Sequence, residues 1–262
     1  AFSYIIWLMG SDGRILVYSL VGLVVGIYLF ISGFKWFRQK RTIENMPTSK
    51  VRSLAMGLVE VYGKAMPYRG KMFKSPFSSE KCLWCRWTVE EYRSNGKHSS
   101  WVTVRNGVMS NYFLLDDGTG EVVVDPDGAK IDIPMDNEFK SRTFNRNLTK
   151  SAITFLASQN YSHTTLFGLG KDIRLREYFI APDDKLYVIG TAGDNPLVEE
   201  ATAQKNEADI MIQRGKDFYF ISDTNEREVV AKFNLKVFGG LVGGSTLILG
   251  SLAVIFWFLG ML

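Results

Sequence analysis

The two cysteines of the chain are three positions apart, in the stretch KCLWCRW at residues 81–87. A C-x-x-C spacing can supply two thiolates to a zinc site or the sulfurs of a redox-active disulfide. A zinc knuckle needs a tight turn and two further ligands, and a redox pair belongs at a helix N-terminus. The stretch instead predicts a strand, which would turn Cys82 and Cys85 to opposite faces of a sheet. We therefore expect Cys85 to be a small core residue, Cys82 to be a half-exposed thiol, and neither to be catalytic.

A second candidate site lies in the stretch LLDDGTGEVVVD at residues 114–125. Its strand–turn–strand pattern favours a structural role, because glycines supply positive φ in such turns while Asp and Thr bond the turn backbone. A calcium-binding EF-hand loop would need a different spacing of oxygen ligands and a glutamate at its end. We predict no metal ion and no cofactor, and we keep four residues as a candidate ligand or turn site: Asp116, Asp117, Thr119 and Asp125.

Side chains that could form a catalytic nucleophile and its base are few. The histidines are His98, in a predicted turn, and His163, in a Ser/Thr-rich loop. No G-x-S-x-G, P-loop or H-E-x-x-H motif occurs, and nothing favours a Ser–His pair. We assign no catalytic residue and expect that the protein is not an enzyme.

Two long apolar segments must position these residues. Residues 15–34 and 237–262 carry no charge, and about twenty apolar residues cross a bilayer as a helix. The first segment is longer than the apolar part of a signal peptide, and a basic stretch follows it instead of a cleavage site. The pattern predicts an N-terminal interfacial segment (1–14) and a two-pass integral membrane protein.

Basic residues flank the part of the chain between the two apolar segments. Arg227, Lys232 and Lys236 precede the second segment, and four more follow the first. Lys and Arg mark the cytoplasmic side, so the sequence predicts a cytoplasmic soluble part and both termini outside. We also expect the four basic residues after the first helix to bind anionic lipid headgroups: Lys35, Arg38, Lys40 and Arg41.

Glycines spaced for close helix packing occur in both apolar segments. Small residues four positions apart let membrane helices approach closely. At about 1.5 Å rise per residue, residues 22–26 of a hairpin would lie level with residues 244–250. An intramolecular pair and a homo-oligomer both remain open, and the candidate packing residues are Gly22, Gly26, Gly240 and Gly244.

The central region, 48–225, changes to a period of two and is bounded by predicted linkers at 35–47 and 226–236. Residues 147–160 have helical spacing, with Asn147 as a possible cap. Many short strands and one minor helix predict a mainly β fold, an OB-like small barrel or sandwich, flanked by the two transmembrane helices. Turn clusters separate the predicted strands, which are 57–65, 82–92, 100–105, 111–115, 121–125, 129–133, 186–190 and 218–222.

Nucleic acid is a conceivable ligand of an OB-like domain. A protein that binds single strands needs a basic groove interleaved with exposed aromatic side chains. The chain has 31 Lys and Arg against 27 Asp and Glu, and its one concentrated basic run lies next to the membrane. We predict no nucleic-acid partner.

Several stretches of the chain resemble the GIDE domain family, also called BAM ("beside a membrane"): MPTSKVRSLAMGLVEVYGKA, SSEKC, YFLLDDGTGEVVVDPDGAKI and REYFIAPDDKLYVIGTA. The resemblance covers about 40–235 and both helices. It implies kinship with the mitochondrial outer-membrane RING ubiquitin ligase, which has the same helix–domain–helix order. The family as a rule has a cysteine at the position of Cys82 and a bulky apolar residue near that of Cys85. That ligase holds the domain in the intermembrane space, which disagrees with the charge-based orientation.

The resemblance implies a membrane-anchored interaction or regulatory module. In the related ligase the chemistry lies in a RING finger, which needs about eight Cys and His ligands. This sequence has two of each, none beyond His163. We therefore expect a non-enzymatic module that serves as a subunit or accessory of a larger membrane complex. Its partner would be a protein in the membrane or a second copy of itself. The alternatives are a ubiquitin-ligase-like component that acts through a partner, and a thiol redox protein that uses the C-x-x-C.

Overall fold

The computed structural model describes residues 11–94, 96, 98–141, 148–161, 171–198, 209–216, 218–224 and 226–261, without the side chains of 11 and 12. The chain forms two compact units, one made of 1–46 with 226–262 and the other of 47–225. The helices are α1 (Ser11–Glu44), α2 (Lys150–Ser158), α3 (Glu226–Phe238) and α4 (Gly244–Phe258). The strands are β1 (Gly57–Pro67), β2 (Phe73–Lys74), β3 (Lys81–Cys82), β4 (Trp84–Ser94), β5 (Ser99–Ser110), β6 (Phe113–Asp116), β7 (Glu121–Val124), β8 (Lys130–Asp132), β9 (Asn137–Ser141), β10 (Ile173–Ile180), β11 (Lys185–Asp194), β12 (Ile210–Gln213) and β13 (Phe220–Ser222).

The helical unit contains two rods. One is α1, and the other is α3 joined to α4 through a π-helical turn at Gly239–Gly243. Both are long and apolar enough to span a membrane, as the two apolar segments predict. The helices continue beyond these segments, because most of the linkers expected at 35–47 and 226–236 is helical. Lys40 bonds Glu44 one turn further on, at 3.2 Å, which supports helix in the basic stretch.

A closed five-stranded barrel forms the centre of the β unit. Its strands are hydrogen-bonded in the order β1, β6, β7, β12, β11 and back to β1. All of these pairs are antiparallel except β7 with β12. These are the first, second, third, fifth and fourth barrel strands along the chain, the order of an OB fold. The prediction of a mainly β, OB-like domain with two flanking helices is therefore confirmed.

The barrel is filled by one face of each strand. In β1 the buried Val59, Val61 and Ala65 alternate with side chains that point outward, such as Tyr62 and Lys64. Because side chains alternate along a strand, each strand gives one set to the core and leaves the other set on the outer surface. Beyond the barrel, β13 extends the edge of β11 and pairs with β8 in parallel.

A second sheet is built from insertions between the barrel strands. Its order is β5, β4, β10, β9, all antiparallel. Helix α2 packs on one face, where the rings of Phe77, Trp87 and Phe155 meet edge to face at centroid distances of 5.0–6.2 Å. The helix is capped by Thr149, whose side chain accepts a hydrogen bond from the Ala152 N–H at 3.1 Å. The cap proposed at position 147 lies outside the described residues.

Candidate functional site

A cleft lies over β6 and β7 on the surface of the barrel. It consists of two adjoining cavities of about 430 and 610 Å³, which share Tyr68 and Arg69. Five connections converge on it, namely those that follow β1, β5, β6, β7 and β11. OB folds bind their ligands on the face of the second and third strands, between the flanking loops. We refer to these two cavities together as the barrel cleft.

One wall of the barrel cleft is the turn that follows β1. The turn is closed by a hydrogen bond of 3.0 Å from the Lys71 N–H to the Tyr68 carbonyl. Arg69 has a φ of +50° inside it, a left-handed conformation that costs a residue with a Cβ roughly 1–3 kcal/mol. The Arg69 guanidinium lies 5.1 Å from the centroid of the Tyr68 ring, and Tyr68 meets Tyr112 edge to face at 6.5 Å. These contacts hold the Arg69 guanidinium and the rings of Tyr68 and Tyr112 together at this wall of the cleft.

The opposite wall follows β7 and carries two carboxylates. Asp125 accepts a hydrogen bond of 3.0 Å from the Asp127 N–H, which makes a tight turn. The backbone of Asp125 is also fixed, because its N–H donates to Ile212 and its carbonyl accepts from the Tyr219 hydroxyl. Burial raises the pKa of Tyr219, as do the neighbouring charges of Asp125 and Asp127, so the hydroxyl stays protonated and able to donate. The wall is therefore rigid, whereas Asp127 itself is exposed.

The larger cavity is mainly apolar. Leu114 of β6 and Val123 of β7 form its floor, and Val198 lines it from the connection after β11. The Asn195 side chain shapes that connection by accepting a hydrogen bond of 3.0 Å from the Leu197 N–H. Glu121 adds one carboxylate at the start of β7.

The smaller cavity contains charged side chains of both signs. Arg69 and Lys71 line it together with Asp125 and Asp127, yet no salt bridge joins any of the four to a residue that the structure describes. On β10, by contrast, Arg174 and Arg176 bond glutamates at 2.5 and 2.9 Å. The barrel cleft thus presents both signs of charge to solvent.

Three of the four residues kept as a candidate ligand site form a structural turn. Asp116 accepts from the Gly118 N–H at 2.8 Å, and Asp117 accepts from the N–H and hydroxyl of Thr119 at 2.8 and 2.6 Å. The other carboxylate oxygen of Asp117 accepts from the Val51 N–H at 3.1 Å. Burial acts to raise the pKa of Asp117, but these hydrogen bonds outweigh it and hold the pKa below its usual value.

The structure does not bring the fourth of these residues to that turn. Asp125 follows the C-terminal end of β7, whereas the turn precedes β7. Asp125 lies instead in the barrel cleft. Sequence reasoning did not identify the other residues of the cleft, although YRGK at 68–71 combines an aromatic ring, two cations and a glycine between predicted strands.

Two expectations for the cysteines are wrong: Cys82 is not half-exposed, and the two thiols do not lie on opposite faces of a sheet. Cys82 is fully buried, as is Cys85, and both belong to one cluster with Phe179. The strand is interrupted between them, because Leu83 forms a bend in which its N–H donates to Ile180 and its carbonyl accepts from Asn111. The bend sends Leu83 and its neighbour at 84 into the barrel core. The two thiols are consequently directed to the same side.

This environment does not favour thiol chemistry. The Cys85 thiol donates a hydrogen bond to the Cys82 sulfur and is desolvated, and both effects raise the pKa of Cys85 well above its usual range. The Cys82 thiol donates to the Phe73 carbonyl at 3.7 Å. Within the described residues no three Cys, His, Asp or Glu side chains come together in an arrangement that could hold a metal ion. His98 is exposed, and His163 lies outside the described residues.

The four glycines selected for packing lie where α1 meets the second rod. A Cβ on Gly26 would lie 3.2 Å from the Gly244 carbonyl oxygen, and one on Gly22 would lie 2.8 Å from Ser251 Oγ. A Cβ on Gly240 would lie 2.8 Å from the Cα of Gly33, a contact residue that the sequence analysis missed. Gly26 and Gly33 are seven residues apart, the spacing of one helix face, and this is the signal that could have found it.

The basic residues after the first apolar segment lie on the last turns of α1. Lys35, Arg38 and Arg41 are exposed, and Lys40 is partly buried beside its glutamate partner. The guanidinium of Arg41 also lies 5.6 Å from the centroid of the Phe37 ring. Headgroup binding by these residues stays a prediction.

Comparison with known proteins gives one family. The family model GIDE, described as E3 ubiquitin ligase, matches residues 86–255. No curated protein and no solved structure matches the chain. The matched residues begin in β4 and end in α4, and they include the acidic wall of the barrel cleft but not the turn with Arg69 and Lys71. Because the model covers well over half of the chain, the protein belongs to the GIDE family.

Proposed function

We propose that the protein is a membrane-anchored, non-enzymatic binding module whose barrel cleft holds a segment of a partner protein. One observation carries the proposal: two cations and two carboxylates line one cavity at the ligand face of an OB barrel, and none of the four forms a salt bridge with a residue that the structure describes. Charged side chains held by fixed turns and left unpaired are suited to a ligand that brings the complementary charges. The two adjoining cavities have the volumes of ordinary ligand sites, about 300–1,000 Å³.

The sign of the charges favours protein over nucleic acid as the partner. Glu121, Asp125 and Asp127 line the barrel cleft beside the two basic residues. Three carboxylates would repel a phosphate backbone, whose binding depends on a continuous basic surface. A polypeptide segment can carry both signs of charge.

The helices support a partner at the membrane. A module tethered by two spanning helices meets membrane-bound partners at a high effective concentration, so a modest affinity is sufficient. The basic residues on both sides of the β unit favour a cytoplasmic location for it. The module would then act as a subunit or accessory of a complex that shares its bilayer.

Site-specific cross-linking in the native membrane tests this function. The photoreactive residue p-benzoylphenylalanine is placed at Tyr112, in the cleft, or at Tyr62, on the outer surface of β1 away from it. The two sites are matched, because the side chains are 38% and 40% exposed. We expect a protein adduct from position 112 only, and its loss when Arg69→Glu and Lys71→Glu are added. Equal adducts at both positions, or an adduct that survives the charge reversal, contradict the proposal.

A second candidate function is a ubiquitin-ligase-like component, which the description of the matching family favours. The test is the rate at which conjugating enzymes charged with ubiquitin discharge it in the presence of the purified chain. We expect no acceleration over the spontaneous rate. An acceleration that requires the β unit would replace the non-enzymatic proposal.

A further inference from the structure

We infer that the barrel cleft selects a polypeptide segment that carries an acidic and a basic side chain next to an apolar one. This inference rests on the proposed function, since it specifies the ligand of the same cleft. Its basis is the division of the cleft into a cavity with both charges and a cavity with an apolar floor, joined at Tyr68 and Arg69.

The basic wall fits a carboxylate. A guanidinium can bind a carboxylate through two parallel hydrogen bonds, and Lys71 adds a second positive charge beside it. Arg69 is oriented before any ligand arrives, because it stacks on Tyr68 and its backbone is held in the left-handed region. Such preorganisation lowers the entropy lost on binding.

The acidic wall fits an ammonium or guanidinium group. Asp125 and Asp127 are held together by the turn after β7, and the Tyr68 and Tyr112 rings line the same cavity. Carboxylates with aromatic rings beside them attract a cation by both charge and cation–π interaction. Because no salt bridge links the two walls, a ligand with both charges can reach each wall without first separating an existing pair.

The larger cavity determines which kind of side chain the ligand carries next to its acidic and basic residues. Leu114, Val123 and Val198 offer an apolar surface, and an apolar side chain placed there removes both surfaces from water. Glu121, the one acidic residue among the described residues that line this cavity, disfavours a second acidic group at that end. An extended chain that passes Tyr68 and Arg69 would therefore place its charged side chains on one side and an apolar side chain on the other.

Selection from a random heptapeptide display library against the intact chain in lipid nanodiscs tests the inference. We expect enriched peptides to contain one acidic, one basic and one apolar residue close together. With Arg69→Glu and Lys71→Glu, the acidic preference should disappear and the basic one remain. With Asp125→Asn and Asp127→Asn, the basic preference should disappear and the acidic one remain. A synthetic enriched peptide should bind about tenfold more weakly to either double variant, by fluorescence anisotropy.

Lys64→Glu is the matched control, because Lys64 is exposed on the outer surface of β1 and does not line the cleft. It should leave the selected peptides and their affinity unchanged, and all variants should keep the thermal unfolding midpoint of the parent chain. If the same peptides are enriched with the double variants as with the parent chain, the inference is overturned and the proposed function still stands. Absence of any enrichment overturns both, and enrichment of peptides copied from the chain itself assigns the cleft to a second copy.

Discussion

Gly107 shows how closely the second sheet is packed at a single residue. It faces Trp87 across β5 and β4, and an added Cβ would lie 2.5 Å from Trp87 Cζ2. The indole ring cannot move away easily, because Phe77 and Phe155 pack against it. We expect Gly107→Ala to lower the free energy of unfolding by about 1–3 kcal/mol, measured by denaturant unfolding of the chain in detergent and followed by tryptophan fluorescence.

Gly193, in β11 of the barrel, is the matched control. A Cβ there would meet Gln213 at 2.8 Å, but that atom is the end of a flexible side chain on the surface. Gly193→Ala should therefore change the free energy of unfolding by less than Gly107→Ala does. Equal losses of unfolding free energy in the two variants would show that contact with Trp87 is not the reason for a glycine at position 107.

Local patterns predict single residues only where the backbone is regular. The Asp116–Thr119 turn was predictable, because its hydrogen bonds join residues adjacent in sequence. The burial of Cys85 was predictable too, since it lies inside β4. The burial of Cys82 was not, because the bend at Leu83 is stabilised by Ile180 and Asn111, which are distant in sequence.

The contact between the two membrane-spanning rods depends on one face of the second rod, where the π-helical turn meets α4. A Cβ on Gly244 would lie 2.8 Å from the Phe30 backbone nitrogen, whereas nothing lies within 4 Å of one on Gly243. We expect Gly244→Ala to separate the rods and lower their stability by roughly 1–3 kcal/mol. Gly243→Ala should be neutral or slightly stabilising, because alanine favours helix over glycine by up to about 1 kcal/mol.

Resistance of the full chain to increasing SDS in mixed micelles measures both substitutions. Equal losses in the two variants would mean that the glycines act through helix flexibility and not through close contact. If Gly243→Ala instead reduces the apparent mass of the particle in mild detergent, its open side contacts another copy of the chain.

The elements that the sequence reveals are those with a long or strongly alternating pattern. Both spanning helices and most of the barrel strands were predictable for this reason. β9 was not, because it has a single apolar side chain, and the apolar β12 was missed. β10 alternates well, as in Ile173–Arg174–Leu175–Arg176, and was overlooked.

The orientation that the flanking charges predict can be measured directly. We expect a membrane-impermeant maleimide to label Met261→Cys but not His98→Cys in intact cells, and to label both after permeabilisation. Position 98 is exposed and Met261 is 69% exposed, so folding does not hide either thiol. The parent chain is the control, because its own cysteines are buried. Labelling of position 98 in intact cells would reverse the orientation.

The barrel cleft could not be predicted from sequence because it exists only once the barrel closes. Its walls come from connections after β1, β5, β6, β7 and β11, which span residues 68 to 198. Each connection alone has the composition of an ordinary turn. Only the pairing of β7 with β12 and of β11 with β1 brings them to one face.

Because the bend at Leu83 buries both cysteines, their reactivity can be used to measure local opening of the β unit. The protein has two thiols, and both are completely shielded inside a single cluster. An alkylating reagent can therefore modify them only when that part of the β unit opens transiently. The alkylation rate under native conditions consequently reports the free energy of this opening. A ligand that stabilises the closed β unit should slow the alkylation, and it can be detected in this way before its identity is known.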